Sequence, residues 1–309
     1  MPDLAHKQTD EIIEGLEKKL QKEYSQAYKD IEKKASDYFS KFEKKDKEKL
    51  KLVKDGKLTE KEYAEWRKNQ LLVGDRWNDL KNNLAQDLTH TNQIAANMVK
   101  NEMYGVFALN GNYTSYTIEN GFRNDYGFTL YSRDAVERLI KDEPDLLPLP
   151  SVDVKKDLLW NKQQITSHIT QGILQGESIP NLSKRLIQTV GNNKASAVRT
   201  ARTAITSAEN GGRQASYNRA KAMGIKVKKQ WMATIDGRTR HEHGQADGQQ
   251  VDVDKPFDVG GEELMFPGDM SGSPENVYNC RCTMVTVEPP EILQGEMDRM
   301  TYSEWVKRK

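Results

Sequence analysis

The sequence has few cysteines and no long apolar run. Its two cysteines stand together in the triplet Cys280-Arg281-Cys282, which excludes the dispersed disulfide framework of small secreted domains. No segment approaches the roughly 20 apolar residues that a membrane-spanning helix needs. The polar segment from Met1 to Lys7 lacks the apolar centre of a secretion signal. We therefore expect a protein with no membrane segment that is made and kept in the cytoplasm.

Charge is abundant but unevenly distributed. Hydrophobic residues make up 36% of the 309 positions and charged residues 30%, and the net charge is +1. This is little apolar material for one large compact globule, so the composition favours an elongated molecule with two domains and modest cores. Residues 184–229 carry eleven basic residues against the single acid Glu209, whereas residues 241–299 carry thirteen acids against three basic residues. The C-terminal half is therefore dipolar.

The N-terminal half is predicted to be helical. Apolar residues recur every three or four positions from Glu11 to about Phe42, which is the spacing of one helical stripe. Thr59 stands where it would cap the next helix. Residues 109–128 are rich in Gly, Asn and Tyr, a composition that favours turns over helix. We expect a boundary or an exposed arm in that segment.

Prolines indicate where the chain divides. Three of them fall between positions 144 and 150, as in a stiff connector, so we place the boundary near Pro150, with domains at 1–150 and 151–309. In the second domain we expect three helices, the longest running from about Ala195 to Met223 and ending at Gly224. Alternating apolar residues then predict a strand over 225–235, with its partner at 283–287. The fold class is α+β: predominantly helical, with an N-terminal helical region and a short antiparallel sheet near the C-terminus.

Several ordered sequence blocks follow one another in the C-terminal half. They are Arg-Thr-Ala-Arg-Thr-Ala at 199–204, the Trp-containing segment with Asp-Gly-Arg-Thr-Arg-His-Glu-His at 229–243, Asp-Gly at 247–248, Phe-Pro-Gly-Asp at 266–269 and Asn-Cys-Arg-Cys at 279–282. This pattern resembles the Mu F-like domain of bacteriophage minor head proteins. The resemblance spans roughly residues 165–290, with its core motif at about 195–288.

The resemblance carries functional expectations. It implies a minor capsid protein present in few copies, which lies inside the virion and acts in head morphogenesis or in DNA packaging and delivery. It implies host cytoplasm as the place of assembly. Its expected partners are the phage portal protein, the major capsid or scaffold protein, and double-stranded DNA bound without sequence preference.

The paired cysteines suggest a metal site. In an extended segment, residues two apart point to the same side, so the Cys280 and Cys282 thiols can share one ion, whereas a direct disulfide would be strained. His241 and His243 offer imidazoles, and Asp236 or Asp269 offers a spare oxygen ligand. The resemblance points to His243 rather than His241. If a metal is bound, we expect structural zinc that staples a loop-rich domain. The alternative is a pair of buried thiols beside a hydrogen-bonded histidine.

A basic surface is predicted from the helix that contains the first sequence block and from the strand after it. Such a surface would attract DNA phosphates without reading sequence. The alternative is that the acidic segment 241–299 neutralises it within the fold. The candidate DNA-binding residues are Arg199, Arg202, Arg213, Lys226, Lys228 and Lys229.

Asp236, Arg238 and Arg240 form a further cluster, for which a turn held by ion pairs is the favoured interpretation and phosphate binding the alternative. Arg281 points away from the cysteines and is available to the same network. Trp231 lies on the apolar face of its strand and is expected in the core.

No catalytic motif is recognised in the sequence. It contains no Gly-x-Ser-x-Gly elbow, no His-Glu-x-x-His helix and no phosphate-binding Gly-x-x-x-x-Gly-Lys loop. We therefore expect an assembly protein and not an enzyme. The alternative is a zinc-dependent hydrolase or a toxin-like module built on the His and Cys residues.

Overall fold

Long helices dominate the computed structural model, which describes residues 3–142, 144–291 and 294–309. In those ranges the helices are α1 (Leu4–Lys54), α2 (Glu60–Leu72), α3 (Asp75–Phe122), α4 (Arg133–Asp142), the 3-10 turn η1 (Pro144–Leu146), α5 (Val154–Leu174), α6 (Ile179–Ala222), α7 (His241–Ala246), α8 (Pro274–Val277) and α9 (Tyr302–Arg308). The strands are β1 (Lys228–Met232), β2 (Gln250–Asp252), β3 (Phe257–Val259), β4 (Glu262–Leu264) and β5 (Thr283–Thr286). The predicted α+β class is confirmed. No described helix is both long enough and apolar enough to cross a membrane.

Local sequence signals set several helix ends. Thr59 caps α2: its hydroxyl accepts from the Glu62 N–H, and the Glu62 carboxylate accepts from the Thr59 N–H, which satisfies two otherwise unpaired donors. Gly224 follows α6 with φ of +79°, a conformation that glycine adopts without steric cost. The two helices predicted between Ile179 and Met223 are one continuous helix, because α6 runs from Ile179 to Ala222 without a break.

The chain forms two compact units, each built from separate stretches. The first comprises Met1–Glu17, Asn97–Pro150 and Arg199–Lys309, and the second comprises Lys18–Ala96 and Ser151–Val198. The chain passes between units at Pro150, where the sequence placed its boundary, but also after Glu17, Ala96 and Val198. The division into domains at 1–150 and 151–309 stays a prediction. The two compact units have different boundaries, because each is made of separate stretches of the chain.

The second unit contains a buried polar network between its helices. The Asn92 amide donates to the Asp157 carboxylate at 3.0 Å and to the Asn193 side chain at 2.6 Å. The Asn161 amide donates to Asp157 at 2.9 Å and to the Thr89 hydroxyl at 3.1 Å. A buried amide without a partner costs about 1–3 kcal/mol, so this network disfavours any register of α3, α5 and α6 that breaks it.

The first unit contains both sheets. One sheet is antiparallel and has the strand order β2-β1-β5, and Trp231 of β1 pairs with Met284 of β5. The other sheet is a hairpin of β3 and β4. Trp231 is fully buried, as predicted, and packs edge-on against the Phe257 ring. The β1–β5 pairing confirms the strand prediction. Strands β2, β3 and β4 lie between the two predicted strands, where the sequence predicted no further strand.

The prediction of turns or an exposed arm at 109–128 is wrong, because α3 continues to Phe122. A Cβ atom on Gly111 of α3 would lie 3.1 Å from the Gly212 carbonyl oxygen, and one on Gly212 of α6 would lie 2.3 Å from the Phe107 carbonyl oxygen. The Asn112 side chain pairs with both backbone groups of Tyr131. These glycine and asparagine residues let two helices approach closely, and that packing outweighs their weak helix propensity.

Gly212→Ala tests this close approach. We expect the substitution to lower the free energy of unfolding by about 1–3 kcal/mol, because the added methyl group overlaps backbone that cannot rotate away. Gly191→Ala on the same helix is the matched control: no atom lies within 4 Å of its added Cβ, so higher helix propensity should stabilise by about 0.5–1 kcal/mol. Urea denaturation measures both variants. Equal stabilities for the two would contradict the packing.

Candidate metal centre

Three predicted ligands meet in the first unit. His243 lies on α7, and Cys280 and Cys282 lie between α8 and β5. The His243 Nδ1 atom is 3.3 Å from the Cys282 sulfur and 3.7 Å from the Cys280 sulfur. The three ligand atoms all lie within 4.8 Å of one another, and each side chain is at most 3% exposed. The sequence predicted this convergence across nearly 40 residues of chain.

The spacing of these atoms suits a single ion. Zinc binds sulfur at about 2.3 Å and imidazole nitrogen at about 2.0 Å, so neighbouring ligand atoms in a tetrahedral site lie about 3.5 Å apart. The two nitrogen-to-sulfur distances bracket that value. Within the described ranges the group contains three protein ligands, which leaves a fourth position to a small ligand such as water.

The other proposed ligands do not join this group. His241 is exposed at the start of α7, so its selection as a metal ligand is wrong. The Asp236 carboxylate is paired with Arg281. The Asp269 carboxylate accepts from the Met265 N–H and from Ser271. Both aspartates therefore organise turns.

The two thiols differ in acidity. A hydrogen bond from the Cys280 thiol lowers the pKa of Cys282 to about 5, with a further contribution from His243, and the same bond together with burial raises the pKa of Cys280. The Cys282 N–H also donates to the Cys280 sulfur at 3.4 Å. The lowered pKa favours the thiolate form of Cys282, which is the form that binds metals. The His243 Nε2 atom is buried and has no hydrogen-bond partner among the described residues, so the polar contacts of this ring lie on the sulfur side.

A polar stripe on α6 holds the cysteine segment. The Thr203 hydroxyl accepts from the Asn279 N–H, and the Thr206 hydroxyl donates to the Cys280 carbonyl at 2.9 Å. The Asn210 side chain donates to the Cys282 carbonyl and accepts from the Met284 N–H, both at 3.2 Å. Residues three and four apart share one face of a helix.

Sequence reasoning missed this stripe. The signal in the sequence is a set of polar residues at helical spacing, namely Thr203, Thr206 and Asn210, among small apolar residues. The backbone position of Asn279, with φ of +55°, is a conformation that asparagine tolerates better than most residues. The stripe and this turn together fix both cysteines relative to α6.

Buried charges lie beside the stripe. The Glu209 carboxylate accepts from the Thr283 hydroxyl at 2.6 Å and contacts the His6 Nδ1 atom at 2.8 Å. The Arg213 guanidinium makes two hydrogen bonds to Asp3 and one to Glu209 at 3.4 Å. Burial opposes protonation of His6, but the neighbouring Glu209 carboxylate outweighs it and raises the His6 pKa. The single acid of the basic segment is thus the centre of an ion network.

The segment that contains this site is similar in sequence to known proteins. Residues 163–285 match the family described as Phage Mu protein F like protein. Over 315 residues the chain is 27% identical to Minor head protein GP7 of Bacillus phage SPP1, an alignment that covers 98% of this chain and 96% of that protein. Residues 163–285 thus form a Mu F-like segment. The metal-site residues and the α6 stripe all lie inside the matched Mu F-like segment.

A second relative shares part of the chain. NAD(+)--arginine ADP-ribosyltransferase EFV of Enterococcus faecalis is 34% identical over 151 residues, which covers 46% of this chain but 31% of that enzyme. The chain therefore spans about a third of the length of this relative. No solved structure matches the chain.

The predicted turn of the Mu F-like segment is held by one strong ion pair. Asp236 accepts two hydrogen bonds of 2.7 Å from Arg281, which holds the pKa of the Asp236 carboxyl well below its usual range. Arg238 is 3.6 Å from the same carboxylate, and Arg240 donates to the Tyr278 carbonyl. The interpretation as a structural turn rests on these contacts, with Arg281 as the bidentate partner in place of Arg238 or Arg240.

Two of the six predicted DNA-binding residues are buried in the first unit. Arg213 is 1% exposed, and the carboxylates of Asp3 and Glu209 neutralise its charge. Lys229 is fully buried and donates to the Gln214 side chain and the Met265 carbonyl, and this burial lowers its pKa to about 8. Their selection as DNA contacts is wrong, since neither reaches the surface.

The remaining four basic residues differ in exposure. Arg202 is partly exposed and pairs with Glu17 at 2.5 Å. The exposed members are Arg199, Lys226 and Lys228. Part of the predicted positive surface is therefore buried or paired inside the fold, but the pairing acids are Asp3, Glu17 and Glu209 and not the acidic segment 241–299 of the alternative interpretation. The rest of it faces solvent.

Proposed function

We propose that this chain is a minor head protein that acts in phage head morphogenesis as a structural component of the virion. The observation that carries the proposal is the alignment with the SPP1 minor head protein, which extends over nearly the whole of both chains. An isolated shared domain would give a shorter match. The proposed location is the capsid interior, after assembly in the host cytoplasm.

The proposed partners are the phage portal protein and the major capsid or scaffold protein. They are supported by the match of residues 163–285 to the Mu F-like family. The long helices of this chain offer extended surfaces on which such large ring or shell proteins are able to dock.

The Mu F-like segment is proposed to bind zinc through His243, Cys280 and Cys282. Two sulfurs and one imidazole are ligands that zinc prefers. We propose a structural role, although the three-ligand set leaves a fourth position as in catalytic zinc sites, because all three side chains are at most 3% exposed and a substrate would not reach that position. This burial disfavours the alternative of a zinc-dependent hydrolase. When bound, the ion would tie α7 to the segment that precedes β5.

Weak, sequence-independent DNA contact is proposed for the exposed basic residues Arg199, Lys226 and Lys228. Phosphate contacts of this kind release counterions, so each one steepens the salt dependence of binding by about one unit of slope. Titration of the triple alanine variant with duplexes of unrelated sequence tests the proposal. A salt dependence identical to that of the unaltered chain would refute it.

Affinity capture from infected cells tests the head role. We expect tagged chain to recover the portal or a capsid subunit, and purified heads to contain the chain in far lower amount than the major capsid protein. Quantitative mass spectrometry of heads and captured complexes gives both values. Recovery of neither subunit, together with heads that lack the chain, would overturn the proposal.

Zinc quantification tests the metal centre. We expect about one zinc ion per chain in freshly purified protein, and loss of most of that zinc in His243→Ala and in Cys282→Ser. His241→Ala is the matched control, because this neighbouring histidine is exposed and its removal should leave the metal content unchanged. If the unaltered chain holds no metal after reconstitution, or if His241→Ala loses as much as His243→Ala, the assignment is wrong.

A further inference from the structure

Helix α5 of the second unit leaves large apolar side chains in solvent. Leu159 is 57% exposed and Trp160 is 41% exposed, and Val154 at the start of the helix is 44% exposed. The opposite face of the same helix is buried through Ile165 and Ile169. Single exposed apolar residues are common, but Leu159 and Trp160 are large neighbours on the solvent side of the helix, and together they form a small apolar patch of the kind found at interaction sites.

A groove runs along this helix next to Leu159. Its volume is about 510 Å³, and its lining residues are Lys81 from α3 and Leu159, Lys162, Gln163, Thr166, Ser167, Thr170 and Gln171 from α5. Three of these residues, Thr166, Ser167 and Thr170, have short hydroxyl side chains. A second helix laid into such a groove makes contact through residues at the same periodic spacing.

The groove is basic and contains no acid. Lys81 and Lys162 line it, and neither ammonium group is within salt-bridge distance of a carboxylate in the described ranges. The two nearest acids on α5 are engaged elsewhere. Asp153 caps the helix by accepting from the N–H groups of the first turn, and the Asp157 carboxylate faces inward to Asn92 and Asn161.

This charge pattern decides the kind of occupant. A two-fold contact with a second copy would bring the same lysines of both chains together, because such an interface repeats one patch on each side. Bare DNA would meet the lysines but would leave Leu159 and Trp160 in water. An acidic helix with an apolar stripe satisfies both features, since it covers the apolar residues and supplies carboxylates to the lysines.

We propose that the α5 groove docks an acidic amphipathic helix of a partner protein. Apolar residues of the partner cover Leu159 and Trp160, and its carboxylates face Lys81 and Lys162. The surface is separate from the metal centre and involves neither its ligands nor the exposed basic residues after α6. The inference holds whether or not the partner is a head protein.

Site-specific photocrosslinking in the native host tests the groove. The photoreactive residue benzoylphenylalanine replaces Leu159 in one full-length variant and Lys29, an exposed residue of the same unit, in the control. We expect position 159 to crosslink to one protein, and peptide mapping to place the crosslink in a segment with a helical apolar repeat and net negative charge. The control should not give this product.

Charge reversal completes the test. Lys81→Glu with Lys162→Glu should lower the yield of the crosslink by about tenfold, whereas Lys81→Arg with Lys162→Arg should retain it. Circular dichroism shows whether each variant is folded. A crosslink to a second copy, to nucleic acid or to a neutral or basic segment would overturn the proposal, and so would the absence of any specific crosslink. A crosslinked partner that is not a head protein would leave this inference standing and weaken the proposed function.

Discussion

The contact between the polar stripe of α6 and the cysteine segment organises the first unit. Asn210 binds the carbonyl of Cys282 and the N–H of Met284, and Thr206 binds the carbonyl of Cys280. Buried backbone groups need partners, and each one left without a partner costs about 1–3 kcal/mol. The helix thus supplies to this segment the hydrogen bonds that a neighbouring strand would otherwise provide. Both the position of the two thiols and the start of β5 follow from it.

The ion network beside the stripe extends the same constraint to the beginning of the chain. Glu209 joins Thr283 of β5 to His6 of α1, and Arg213 joins Asp3. Removing one member of such a buried set leaves an uncompensated charge, which typically costs 3–5 kcal/mol. Glu209, the single acid of the basic segment, is therefore a buried anchor. It pairs with Arg213, one turn later on the same helix. The basic segment of α6 therefore supports the cysteine segment through its buried residues, and only part of it forms a charged surface.

Sequence periodicity predicted most of the helices and the β1–β5 pair, because each depends on local spacing. The convergence of His243 with the two cysteines was expected from ligand chemistry that few residues provide and from the resemblance, which points to His243. The length of α3 was not predictable in the same way, since the glycine at 111 favours turns locally and helix only when Gly212 packs against it. Likewise, nothing local distinguishes Arg213 from the exposed Arg199. Its partner Asp3 lies 210 residues away in the sequence, and burial of a charge depends on such a partner.

Hydrogen exchange of the segment 279–286 in an Asn210→Ala variant tests the central contact most directly. If the α6 stripe holds the cysteine segment, the amides of this segment should exchange at least about tenfold faster than in the unaltered chain, because two buried backbone groups lose their partner. Asn192→Ala, an exposed position on the same helix, should leave the rates unchanged. Unaltered protection in Asn210→Ala, in a protein that remains folded, would contradict the account.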